Sequence, residues 1–222
     1  GAHLIEANLT DAKLRGTTIS NTDFTGVSLR GADLSEGDLS NSEMIGLDLS
    51  GAELTGANLS GANLSRVNLT GVNLAKVNFS NVNLTEANLT EANLTEAKLT
   101  GANLRGANLV GANLSDTDLT TVNLKGAIFA GADLRNVILT GMDLSGGNLT
   151  GANLTHSDLS GANLIGANLM GANLMGANLS DANLTDVNLT DANLTCSDVS
   201  GTYLSGAGLT GATLSDIDLT RV

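Results

Sequence analysis

Large apolar side chains recur at every fifth residue from Leu4 to Leu219, and the register never slips. Of these forty-four positions thirty-eight are Leu, and the rest are Ile19, Phe24, Met44, Phe79, Phe129 and Val199. A period of five fits neither an amphipathic helix, which repeats at about 3.6 residues, nor a strand, which alternates every two. Each unit must therefore contain its own corner. Two residues before the apolar position sits a small side chain, Ala in twenty-four units, which suits an inward corner with little room. The residue just before the apolar one is Asn or Asp in thirty-two units, and the residue just after it is Ser or Thr in thirty-one. An extended polar-apolar-polar triplet is a one-sided strand with its middle side chain facing inward. The fifth position holds twenty-four of the 27 Gly, joined by Asn21, Asn41, Asn81 and Asn136, the residue types that best accept a positive φ at a turn. Strand and corner in strict alternation predict a coil.

Features that recur at twenty residues set the number of sides. The positions Ser20, Ser40, Ser60, Ser80, Thr100 and onward to Thr220 are all Ser or Thr, against twenty of thirty-three in the other three registers. One corner register, running through Glu36, Lys76, Glu96, Asp116, His156 and Cys196, is poor in Gly. Both point to four sides per turn, so forty-four units make eleven coils. At a strand spacing of about 4.8 Å the rod is expected to be about 50 Å long.

The unit, seen in Ala57 to Gly61 and in Ala152 to His156, resembles the motif of the pentapeptide repeat family: small, Asp or Asn, Leu or Phe, polar, Gly. The resemblance runs from Ala2 to Thr220 and implies an all-β fold, a right-handed quadrilateral parallel β-helix, with the whole of 1–222 as one solenoid domain. Stacked leucines are expected to form a continuous core, each worth about 1.5–3 kcal/mol when fully buried. No Pro interrupts the ladders between coils. Outward Asn residues one coil apart, such as Asn63, Asn83, Asn103 and Asn123, are expected to form side-chain amide ladders.

Composition narrows the function classes. The formal net charge of −13 repels nucleic acid, so no direct nucleic-acid binding is expected and a basic protein partner suits the surface better. With no run of eighteen apolar residues and no visible signal peptide, no membrane insertion is expected. The repeat itself generates many Asn-Leu-Ser/Thr sequons, which a glycosylating route would decorate, so a bacterial, cytoplasmic setting is favoured. Gly1 in place of a starting Met suggests a piece of a longer chain. Catalysis has few candidates. His3 and His156 lie on different registers, and His156 and Cys196 are two coils, or roughly 10 Å, apart, too far for one zinc ion to bridge. The Ser and Thr residues lack a neighbouring base, and a leucine-filled rod offers no pocket to exclude water. Neither an enzyme nor a cofactor nor a metal site is expected.

Candidate contact residues are therefore superficial. On the side with the unbroken hydroxyl register, Asp38, Asp118, Asp158, Asp198 and Asp218 share one outward column, interrupted by Lys98. Glu86, Glu91 and Glu96 occupy successive corners, as do Asp181, Asp186 and Asp191. Ile165, Met170 and Met175 form an outward apolar girdle around one coil, unexpected on a solvated surface. Near the end, Tyr203 and Ile217 depart from the repeat and suggest an end-to-end homodimer. The leading functional reading is a non-enzymatic scaffold, a rigid acidic rod that presents a regular surface to another protein. The alternative comes from the resemblance: some members imitate DNA and bind a type II topoisomerase such as gyrase, in the manner of quinolone resistance. Fewer Phe in the central register and no interrupting loop distinguish this chain from those members. Ice binding by the hydroxyl column is disfavoured by the charges within it.

Overall fold

A computed structural model describes residues 4–219; Gly1, Ala2, His3 and Thr220, named above, lie outside the described residues. The chain winds as a parallel β-helix. In most windings the residue before a register position bridges its counterpart twenty residues on, as in Asn63 to Asn83 to Asn103 to Asn123 and Asn153 to Asn173 to Asn193. Twenty residues are thus one winding of four five-residue sides. The first wall passes through Leu4, Phe24 and Met44, the second through Leu9, Leu29 and Leu49, the third through Leu14, Leu34 and Leu54, and the fourth through Ile19, Leu39 and Leu59.

Three backbone bonds repeat through the windings. In the first wall the Leu64 N–H donates to the Asn83 carbonyl at 2.7 Å, and the Asn83 N–H donates to the Ala62 carbonyl at 3.0 Å. The third closes the corner: the Val67 N–H donates to the Leu64 carbonyl at 3.2 Å. Within that turn only the third residue has positive φ, the signature of a type II turn. Gly fills most of these corners, yet Glu, Asp, Arg, Lys, His and Cys adopt the same left-handed conformation at others, including Arg66 at φ 59° and Cys196 at φ 58°. An L-residue in that region costs about 1–2 kcal/mol. Ladder bonds on both sides of the corner hold it there, which is why Asn and Gly are not required at every corner.

Thr121 is the exception. From Glu6 to Asp216 every other corner residue has positive φ, and Thr121 does not. Its turn keeps the Val122 N–H to Leu119 carbonyl bond at 3.0 Å, which with negative φ is the pattern of a type I turn. A β-branched residue is a poor occupant of the left-handed region, so the chain turns the other way. One ladder bond is rerouted as a result: the Gly101 N–H donates to the Thr121 hydroxyl at 2.9 Å.

The core lies on the axis. From Phe24 to Val199 every register residue is buried, and the small residues two before them line the same interior, with Ala57, Ala107 and Ala167 fully covered. Leu4, Leu9, Leu14 and Ile19 at one end and Leu204, Leu209 and Leu214 at the other are only partly covered. Buried hydroxyls at the small position are satisfied locally, as where Ser157 Oγ donates to the Leu154 carbonyl at 2.7 Å.

Candidate interaction surface

Most outward polar side chains are occupied with the fold. An Asn before a register Leu accepts from the N–H two residues on and, where that residue is Ser or Thr, usually from its hydroxyl as well; Thr85 donates both bonds to Asn83 Oδ1, at 3.1 and 2.6 Å. The amide then donates to the preceding coil: Asn83 Nδ2 to Asn63 Oδ1 at 3.0 Å, and Asn123 to Asn103 at 3.0 Å. The expected ladder is not continuous, because Asn103 turns to Thr85 Oγ1 at 3.0 Å instead. The Thr hydroxyl lies beside the same amide and competes with the carbonyl oxygen for it. Donation always runs from the later coil to the earlier one, so an acceptor-only carboxylate can only begin a ladder. Asp38, Asp48, Asp143 and Asp158 do so, accepting from Asn58, Asn68, Asn163 and Asn178 at 2.9–3.1 Å.

That chemistry changes the meaning of the aspartate column. Asp38, Asp118, Asp158 and Asp198 each accept the N–H two residues on, at 2.9–3.1 Å. The Ser40 hydroxyl and N–H hold Asp38 below the usual carboxylate range, and the N–H and hydroxyl of Thr120, Ser160 and Ser200 do the same for Asp118, Asp158 and Asp198. The carboxylates replace Asn as turn acceptors before they are anything else. Asp38 stands four coils from Asp118, and Asn58, Asn78, Lys98, Ile138 and Asn178 share the column, so the five are not one patch. Asp218 is the immediate neighbour of Asp198 and opposes its ionisation.

Ile165, Met170 and Met175 face outward on the first, second and third walls, with 40, 42 and 38% of their surface exposed. Their backbones are regular: the N–H groups donate to Asn163, Asn168 and Asn173, and the carbonyls accept from Gly146, Gly151 and His156. Only the side chain departs from the Ser or Thr usual there. Glu86, Glu91, Asp181, Asp186 and Asp191 adopt the same left-handed corner geometry. The three aspartates fold over Gly201, Gly206 and Gly211 of the next coil, where a Cβ would collide with the carboxylate oxygen.

The proposed end contacts separate. Ile217 lines the apolar mouth of the last coil with Leu204, Leu209, Leu214 and Leu219. Tyr203 stands on the first wall, 64% exposed, pointing sideways from the rod. Only Ile217 sits where an end-to-end contact would form. His156 stacks over Gly176, and Cys196 is exposed at the same corner one coil further. Among the described residues no group of His, Cys, Asp and Glu is placed to hold a metal ion, and no helix is long and apolar enough to cross a membrane.

Position 121 was not singled out in the sequence, although its signal was there: it is the only Thr in the corner register. A second feature emerges once charges are placed on coils. The described ion pairs, Arg15 with Glu36, Arg30 with Asp48, Lys76 with Glu96 and Arg135 with Asp133, all lie in the first seven coils. From Asn136 to Leu219 there is no Lys or Arg.

The family model for pentapeptide repeats matches in eight copies, over residues 1–31, 22–61, 62–101, 87–126, 102–141, 143–181, 172–211 and 182–221. Among solved structures, the chain is similar to HetL from the cyanobacterium Nostoc sp. strain PCC 7120, a pentapeptide repeat protein involved in heterocyst differentiation regulation. The identity is 36%, the match covers 92% of this chain and 93% of HetL, and the TM-score is 0.68. Rfr23 from the cyanobacterium Cyanothece 51142 is 32% identical over 54% of this chain and 90% of its own, with a TM-score of 0.41. QnrB1, a plasmid-mediated fluoroquinolone resistance protein, is 20% identical over 99% of this chain and 93% of its own, with a TM-score of 0.38. No curated protein matches the sequence. With the repeat matched along nearly its whole length and four walls of five residues in every winding, the chain belongs to the pentapeptide repeat family and folds as a right-handed quadrilateral β-helix.

Proposed function

We propose that the protein is a non-enzymatic scaffold, one rod-shaped unit that presents an acidic surface to a protein partner. The observation that carries this reading is where the polar chemistry goes. Asn, Asp, Ser and Thr side chains are bonded to one another and to the backbone in unit after unit, and the axis is filled by leucine. What remains for recognition is net negative charge and a few exposed apolar side chains. HetL is involved in a regulatory process, and a regulatory scaffold in a bacterial cytoplasm fits the same reading. Affinity capture with the natural rod, compared with rods bearing Asp→Asn at 38, 118, 158, 198 and 218 or Ser at 165, 170 and 175, tests it. Loss of a partner in either variant is expected; recovery unchanged in both would remove these residues from the contact.

A net charge of −13 on a rod also favours a second reading, a DNA-like binder of a type II topoisomerase. Titrating the protein into a gyrase supercoiling assay decides it. Inhibition or protection at micromolar protein would support this reading, and no effect would retire it.

A further inference from the structure

We propose that the ninth coil, residues 161–180, is a docking belt for an extended basic segment of a partner protein, one carrying Lys or Arg beside apolar side chains. The inference rests on the scaffold reading and says where and by what chemistry the partner is held.

The belt is made of Ile165, Met170 and Met175, at a position where Ser or Thr otherwise donates its hydroxyl to the Asn two residues before. In the next coil Thr185 makes that bond to Asn183 at 2.7 Å. In the ninth coil the oxygens of Asn163, Asn168 and Asn173 keep the backbone bond, and those of Asn168 and Asn173 also accept the Asn188 and Asn193 amides, but none receives a hydroxyl. Three consecutive units thus give up a hydrogen bond and expose apolar surface while the backbone stays regular. The fold gains nothing visible from the exchange.

The three side chains lie on successive walls of one coil, joined by two corners that carry no side chain. Those corners are Gly166 and Gly171, and nothing lies within 4 Å of a Cβ built on either. A chain laid across the rod from Ile165 to Met170 to Met175 therefore meets no side chain at the corners and crosses only the outward amides of Asn168 and Asn173 between them. Charge complementarity identifies the occupant. One coil further on, Asp181, Asp186 and Asp191 occupy three successive corners, and every Asp, Glu, Lys or Arg between Asn136 and Leu219 is an Asp. A Lys or Arg lays its aliphatic stem on an apolar surface and sends its charged head to the nearest anion. The methionines offer the first, and the aspartates of the next coil, whose carboxylates lie toward Gly201, Gly206 and Gly211, are the anions on that side of the belt; Met is also the side chain that best adapts to varied apolar contacts.

The test uses the full chain and a fluorescent peptide of alternating Leu and Lys, with Ser-Lys and Leu-Glu peptides as controls, read by anisotropy. The Leu-Lys peptide is expected to bind. Changing Ile165, Met170 and Met175 together to Ser should weaken it at least about tenfold. Changing Asp181, Asp186 and Asp191 together to Asn should weaken it and flatten its salt dependence. Ile45→Ser, which removes an equally exposed apolar side chain far from the belt, should leave binding unchanged. Ser is common at positions 165, 170 and 175 of the repeat, and thermal melts of the variants confirm folding. Equal binding by the triple Ser variant, or by the Ser-Lys peptide, would overturn the proposal. So would a doubled mass for the natural rod that the triple Ser variant lacks, since a second copy would then cover the belt. A partner captured by the rod through other coils would leave the scaffold reading standing while the belt fails.

Discussion

A residue at a corner of this helix is judged by what lies one coil away. Gly61 and Gly71 have nearly the same φ, 67° and 66°, but a Cβ on Gly61 meets the Asn41 side-chain oxygen, whereas a Cβ on Gly71 meets nothing within 4 Å. Ala at either position pays the left-handed cost of about 1–2 kcal/mol. Gly61→Ala is therefore expected to lower the melting temperature more than Gly71→Ala, and Asn41→Gly should rescue the first and not the second. Thr121 supplies the opposite case. Thr121→Gly lets the corner take positive φ and returns the Gly101 N–H to the ordinary ladder, so the melting temperature should rise; a fall would mean that the hydroxyl bond is worth more than the regular turn. Aspartates add a pH term. Asp38, Asp118, Asp158 and Asp198 titrate below the ordinary value of about 3.9 once folded. Their contribution is complete above that value and is lost as the pH falls through the lower, folded pKa. Acid melts should show stability declining below about pH 4, and Asp158→Asn, which keeps the acceptor without the charge, should shallow that decline.

At the scale of one side, inward leucine and outward amide perform separate tasks. Leu104 is fully buried, and Thr100 is exposed on the fourth wall. Leu104→Asp places a charge on the axis, where an unpaired carboxylate costs several kcal/mol, and should abolish cooperative unfolding, while Thr100→Ala is expected to be nearly silent. Indistinguishable melts would contradict the inward assignment. This division was legible in the sequence because a five-residue period leaves one register for the core, and Leu4 through Leu219 occupy it. Side-chain bonding was less legible. Whether Asn103 donates to Asn83 or to Thr85 depends on how the amide is turned between two acceptors, and the letters at those positions do not encode it. Acceptance of Arg66 or Glu86 at a left-handed corner was also hidden, because the neighbouring ladder bonds, not the residue's own preference, hold the turn there.

Over the whole molecule the windings share one core, and charge divides along the axis. The ion-paired coils lie before Asn136 and the cation-free coils after it. The candidate surface is only partly visible in the sequence. Ile165, Met170 and Met175 stand out there as breaks in a hydroxyl register, but their placement on successive walls of one coil, joined at the bare corners Gly166 and Gly171, needs the winding. The aspartate column reads as a binding feature in the letters alone, whereas its carboxylates are bonded as turn acceptors, a role that Asp and Asn share.

The central claim is that one residue in five points at a common axis, with the small residue two before it alongside. Single cysteines at positions 103 to 107, in a Cys196→Ser background, test it through the rate of labelling by a thiol reagent under native conditions. The β-helix predicts rapid labelling at 105 and 106, and protection at 104 and 107 that is lost only on unfolding. Labelling of 104 and 107 as fast as 105 and 106 would contradict it.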